Sequence, residues 1–174
     1  MRIETIRTLN GANLYHHASV LVMTLDMGEL AGKETHEVTG FMDQLLTLLP
    51  GIQQHHCASG PANGVVGSTP ATIGFGQITA RVALELATLA DIPVHHATAS
   101  YGSRLQCCQI VIEFTSEAGM RFLLSTAVEL VEALIKGETP PLAEKLDEAR
   151  ALIDHAEPEP KTNAIVLIAR GVSL

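Results

Sequence analysis

Tryptophan is absent from this 174-residue sequence, and two tyrosines and four phenylalanines make up its large aromatics. So few rings exclude the stacking platforms on which single-strand nucleic-acid readers lay their bases, and they argue equally against a sugar-stacking surface. Positive charge is scarce as well. Eleven Lys and Arg stand against nineteen Asp and Glu, a formal net charge of −8, and that balance repels a phosphate backbone or an anionic leaflet. Neither a nucleic-acid nor a membrane partner is expected. Cysteine is limited to Cys57, Cys107 and Cys108, an odd number without CxxC spacing, which predicts no disulfide framework. Long hydrophobic runs are missing too. Met1 to Arg7 has no apolar leader core, and no later stretch approaches the roughly 20 apolar residues of a membrane span, so a cytoplasmic protein is expected. GxGxxG, Walker A and GxSxG motifs are absent.

What is present is aliphatic. Apolar residues make up 47% of the chain and charged residues 17%, which suits one compact domain, or a domain plus the start of another. A chain near 150 residues buries roughly 70% of its unfolded surface, enough to need neither disulfides nor a structural metal. Arg2 to Leu9 and Ala18 to Met27 read as an outer strand followed by a more central one, joined through the turn residues Asn10-Gly11-Ala12-Asn13. Phe41, Leu45 and Leu48 or Leu49 recur at helical spacing within Glu37 to Leu49, and Pro50-Gly51 stops the pattern. Ala58 to Gly76 is a long, weakly apolar loop of the kind that is functional or mobile. Gln77 to Ala90 then carries Ile78, Val82, Leu86 and Leu89 on one helical stripe and Gln77, Arg81, Glu85 and Thr88 on another. Val94 to Tyr101 and Cys107 to Thr115 form a hairpin around Gly102-Ser103-Arg104, with Cys108, Ile110, Ile112 and Phe114 on one face. Ser116 caps a long helix with Met120, Leu123, Leu124, Ala127, Val131 and Leu134 inward, ended by Gly137. Pro140-Pro141 opens a last helix through about Asp154.

The order ββααββαα predicts an α+β fold, a four-stranded, mainly antiparallel sheet with helices packed on one face. Residues 1–155 are expected to form this domain. Residues 156–174, starting at Ala156-Glu157-Pro158-Glu159-Pro160, read as a linker and a further apolar segment that is cut short.

Three histidine pairs, His16-His17, His55-His56 and His95-His96, invite a metal site. A site needs three or four converging ligands, adjacent strand residues diverge, and the spacing matches no closed zinc motif; no metal is expected. Gln77, Arg81 and Glu85 stand at i, i+4 and i+8, so they share one helix face. That row is either a solvated face with a weak Arg81–Glu85 pair, contributing about 0 to 1 kcal/mol, or part of a site. Arg104 is either a contact for an acidic ligand or an ordinary turn arginine. Glu129, Glu132, Glu138 and Glu144 offer carboxylates to a basic ligand but serve solubility equally well.

Arg2 to Asn13, Val22 to Leu30, Gly40-Phe41 with Leu48-Leu49-Pro50, His55-His56-Cys57, Val82-Ala83-Leu84-Glu85-Leu86 and Ala169-Arg170-Gly171-Val172 together resemble the N-terminal region of cyanophycin synthetases. The likeness spans nearly the whole chain, and the ordered string is more specific than any one motif. It implies a full-length ligase that polymerises aspartate and arginine into cyanophycin, with ATP-grasp and Mur-ligase-like domains downstream that use ATP and Mg. Residues 156–174 would then enter a truncated ATP-grasp region, and the full-length enzyme is expected to be a homo-oligomer. This domain's implied role is to hold the polymer. In some members it also carries a zinc-dependent hydrolytic site, resembling the inverted HxxEH motif, that cuts cyanophycin into primers.

Here the positions matching HxxEH read Gln77-Ile78-Thr79-Ala80-Arg81. Gln77, Ala80, Arg81 and Glu85 are therefore degenerate former metal-site positions, and no catalytic residue, metal or cofactor is expected for this segment. Arg81 is expected to stand near the former metal position, paired with Glu85. His55, His56, Arg81 and Arg104 are the candidate contacts with the polymer. The alternatives are a zinc hydrolase using His55, His56 and Glu85, and a purely structural or oligomerisation domain.

Overall fold

The structure, a computed structural model, describes residues 1–55, 58–59, 73–102 and 105–154. In chain order the elements are β1 (Arg2–Leu9), β2 (Val20–Asp26), α1 (Phe41–Leu48), β3 (Ala58–Ser59), α2 (Phe75–Leu89), β4 (Ala97–Tyr101), β5 (Cys107–Glu113), α3 (Glu117–Ile135) and α4 (Leu142–Asp154). The sheet runs β1-β2-β5-β4-β3. Its four longer strands are antiparallel neighbours, as expected, and the two-residue β3 adds a parallel edge beside β4.

Strand alternation decides which side chains meet the helices. The β2/β5 register sets Leu21 opposite Ile112, Met23 opposite Ile110 and Leu25 opposite Cys108, and all six are fully buried in the main core. On the other face Val20, Val22 and Val111 form a small cluster closed by Leu9 and Tyr15. Adjacent Cys107 and Cys108 are both free, one exposed and one buried. The helix side receives Ile78, Val82 and Leu86 from α2 and the whole inward stripe of α3 from Met120 to Leu134. Leu89, placed on the inward stripe by periodicity, is instead 37% exposed at the end of α2.

Two helices start elsewhere than periodicity suggests. Gly40 adopts a left-handed φ of 76°, a conformation that interrupts a helix at little cost only for glycine. Thr35–Glu37 is accordingly a separate 3-10 turn, with reciprocal Glu34 and Glu37 caps, and α1 begins only at Phe41. α2 starts earlier, at Phe75, within what reads as loop. The Tyr101 hydroxyl accepts the Gly76 N–H at 2.9 Å, satisfying one of the orphan donors of a helix start from the neighbouring strand.

The long helix α3 behaves as its sequence indicates. Ser116 accepts the Gly119 N–H at its start, and at its end Gly137 (φ 76°) and Glu138 donate back to Leu134 and Ala133, the paired bonds of a left-handed C-terminal cap. From α3, Arg121 reaches the edge strand β1, donating to the Ile6 carbonyl at 3.1 Å and to the Thr8 hydroxyl at 2.8 Å while also holding Glu117 at 2.8 Å. Bonds from Thr8 and Arg121 lower the Glu117 pKa below its ordinary value. A blocked edge of this kind deters strand pairing with another chain. Among the described residues no helix is long and apolar enough to cross a membrane.

Candidate functional site

The row Gln77, Arg81, Glu85 on α2 is not a solvated face. Ala80 is fully buried and Glu85 is 5% exposed, while Gln77 and Arg81 are half-buried. The cause is packing. α2 lies against β4, β5 and α3 and meets a 3-10 turn, Pro50–Gln54, on its remaining side. Pro50 both ends α1 and opens that turn, where its missing N–H costs nothing.

The turn delivers the partner of Glu85. His55, in extended conformation just beyond the turn, places Nε2 2.7 Å from Glu85 Oε2. An ionised carboxylate only accepts hydrogen bonds, so the imidazole is the donor. The approach is close enough that a Cβ on Gly51 would lie 2.9 Å from Glu85 Cδ, and only glycine fits there without displacing the carboxylate. The expected Arg81–Glu85 pair is therefore corrected: among the described residues the side-chain partner of Glu85 is His55, through a hydrogen bond. In the competition for one buried carboxylate the imidazole, brought up by the turn, takes the place of the arginine one helical turn away.

Arg81 is left with an unmet demand. Its Nε is buried and has no hydrogen-bond partner among the described residues, and a buried donor without an acceptor costs about 1–3 kcal/mol. The donor set does not fit zinc. Gln77, Ala80 and Arg81 present an amide, a methyl and a guanidinium, and guanidinium offers five donors and no lone pair for a metal. Among the described residues no three His, Cys, Asp or Glu side chains converge as ligands. His56 and Arg104 lie outside the described residues, as do Cys57, most of the loop before α2 and residues 155–174.

The histidine pairs behave differently from one another. His16 and His17 do not diverge, because they lie in the loop before β2 and not on a strand; their rings are 4.0 Å apart. His16 also stacks on His96 at 4.4 Å with 12° between planes. Burial chiefly, and then His16, lower the His96 pKa below 6.5, with Glu113 opposing the shift and His17 adding to it. Asn13 holds this loop, donating to Gly11 and Ala18 carbonyls and accepting from the Tyr15 and His16 amides.

At the C-terminal end of α2 a groove of about 670 Å³ runs beside the His55–Glu85 pair. His55 lines it together with His95, half of a histidine pair weighed in the sequence, and Asp91, which the sequence did not single out. The sequence clue to Asp91 is that it follows Ala90, where a helix end favours glycine.

Residues 22–136 match the family described as "Cyanophycin synthase-like N-terminal domain". The chain belongs to that family. Cyanophycin synthetase from Crocosphaera subtropica is 30% identical over 176 residues, 98% of this chain and 20% of the relative. Those from Trichormus variabilis and a Nostoc species are each 32% identical over 179 residues, 99% of this chain and 20% of the relative. The chain thus spans about a fifth of the length of these curated relatives. The family segment runs from within β2 to the end of α3, so the His55–Glu85 pair, Arg81 and the groove all fall inside the cyanophycin synthase-like N-terminal domain.

Proposed function

We propose that this domain is a non-catalytic binding module for cyanophycin, the polymer of aspartate and arginine, and that it holds the polymer for ligase domains of the same protein. Those domains would supply the ATP- and Mg-dependent chemistry, in a homo-oligomeric cytoplasmic enzyme. Tethering the chain raises its effective concentration at the ligase sites without any new contact there.

The observation that carries this reading is Arg81. At a position that supplies a metal ligand in the HxxEH pattern it presents a permanent cation, half-buried and without an ion-pair partner among the described residues. A carboxylate is the acceptor that guanidinium geometry matches best, and a polymer with an aspartate backbone and arginine side groups offers carboxylates along with its guanidinium groups. The neighbouring Glu85 is occupied by His55 and does not compete for Arg81. Zinc-dependent cleavage finds no support in Gln77, Ala80 and Arg81, and no specific observation favours a purely structural role.

The test is a pelleting titration of the chain with insoluble cyanophycin. Arg81→Gln is expected to weaken binding by about tenfold, the loss of one charge-assisted hydrogen bond, and Arg81→Lys to recover only part of it. Equal binding by all three proteins, or none by the unsubstituted chain, would overturn the proposal.

A further inference from the structure

Asp91 occupies an unfavourable place twice over. It has a φ of 60°, the only left-handed non-glycine residue among those described, and it completes the α2 cap by donating its N–H to Thr88 while Ile92 donates to Ala87. Glycine holds the equivalent position at the end of α3, Gly137. Aspartate tolerates this conformation better than most residues but less well than glycine. Its negative charge also sits at the negative end of the helix dipole. Arg150 meets this helix end without relieving Asp91: its guanidinium donates to the Leu89 carbonyl at 2.6 Å and pairs with Asp147. Among the described residues the Asp91 carboxylate has no ionic partner.

The residue faces the groove beside His55. Buried Leu84, Ile92 and Val94 give that groove an apolar wall, and exposed Asp91, Gln54 and His95 give it a polar rim with one carboxylate. That combination suits a ligand with an aliphatic stem and a cationic head. We propose that this groove is a subsite for an arginine side chain of the bound polymer, the stem lying on Leu84, Ile92 and Val94 and the guanidinium meeting Asp91. The proposal rests on the polymer-binding reading. It extends that reading geometrically, because His55 touches both the groove and Glu85, and Glu85 stands one helical turn from Arg81. A polymer carrying both charges would place a carboxylate on Arg81 and a guanidinium on Asp91 along the same helix.

The experiment titrates the isotope-labelled chain with N-acetyl-L-arginine amide, using the lysine analogue as the ammonium control, and runs polymer pelleting in parallel. The expected result is amide shifts concentrated in residues 88–95, weaker shifts with the lysine analogue, and their loss in Asp91→Asn. Polymer affinity should fall about fivefold in Asp91→Asn, the scale of one exposed ion pair. Asp91→Gly should lose the same binding while its Tm rises by about 2–4 °C, which separates a lost contact from a damaged fold. If the unsubstituted chain pellets with polymer and Asp91→Asn pellets equally well, the subsite is overturned while the polymer reading stands. Asp91-dependent shifts from the arginine amide with no pelleting by the unsubstituted chain would overturn the assignment to the polymer. Shifts confined elsewhere, or unchanged by Asp91→Asn, overturn the guanidinium site itself.

Discussion

His55 Nε2 lies 2.7 Å from Glu85 Oε2, and this contact ties the turn after α1 to the middle of α2. Both side chains are largely shielded, at 19% and 7% exposure, so the carboxylate depends on the imidazole for its hydrogen bond. Glu85→Ala removes the acceptor and leaves a cavity beside a stranded histidine; a loss of about 1–3 kcal/mol is expected in urea unfolding. Glu85→Gln keeps an acceptor at the same distance and should lose less. Equal stability of all three proteins would show that the contact contributes nothing.

Gly51 makes the same pair testable from its other side. A methyl group there meets the Glu85 carboxylate, so Gly51→Ala must move either the turn or the acid. The expected cost is about 1–3 kcal/mol, typical of overpacking a filled site. Combined with Glu85→Ala, which removes the obstructing group, the glycine substitution should cost markedly less than it does alone, and a double-mutant cycle measures that coupling. Strict additivity would contradict the close approach.

Acid should loosen the opposite face of the sheet. Burial and the neighbouring His16 and His17 lower the His96 pKa below 6.5, against the raising influence of Glu113. The folded chain therefore binds this proton less well than the unfolded chain. The stability His96 contributes is full above pH 6.5 and is lost as the pH falls from 6.5 toward the lower folded pKa. Urea midpoints measured between about pH 7.5 and 5.5 should decline more steeply for the unsubstituted chain than for His96→Asn. Parallel profiles would count against the cluster.

Much of the fold is legible in the sequence because alternation and helical spacing are strong where one face is buried. The alternating Cys108, Ile110, Ile112 and Phe114 place β5 correctly, and Ser116 with Gly137 brackets α3. Less legible are features decided by tertiary contact. β3 is two residues long and exists only through its pairing with β4, so no periodicity announces it. The start of α1 moves because Gly40 turns left-handed. At the site, helical spacing correctly places Arg81 and Glu85 on one face but cannot tell which donor the carboxylate takes. That choice depends on Gly51 letting His55 come close, a contact across 30 positions of sequence. The value of Asp91 is likewise visible only once its φ and its groove are known together.

The central claim is binding of the polymer without cleavage, and co-sedimentation with insoluble cyanophycin across a salt series, with and without added zinc, tests it most directly. The chain should pellet at low salt, release progressively as ionic strength screens the Arg81 and Asp91 contacts, and leave no soluble peptides in the supernatant under either condition. Failure to pellet at low salt, or zinc-dependent release of peptides, would contradict it.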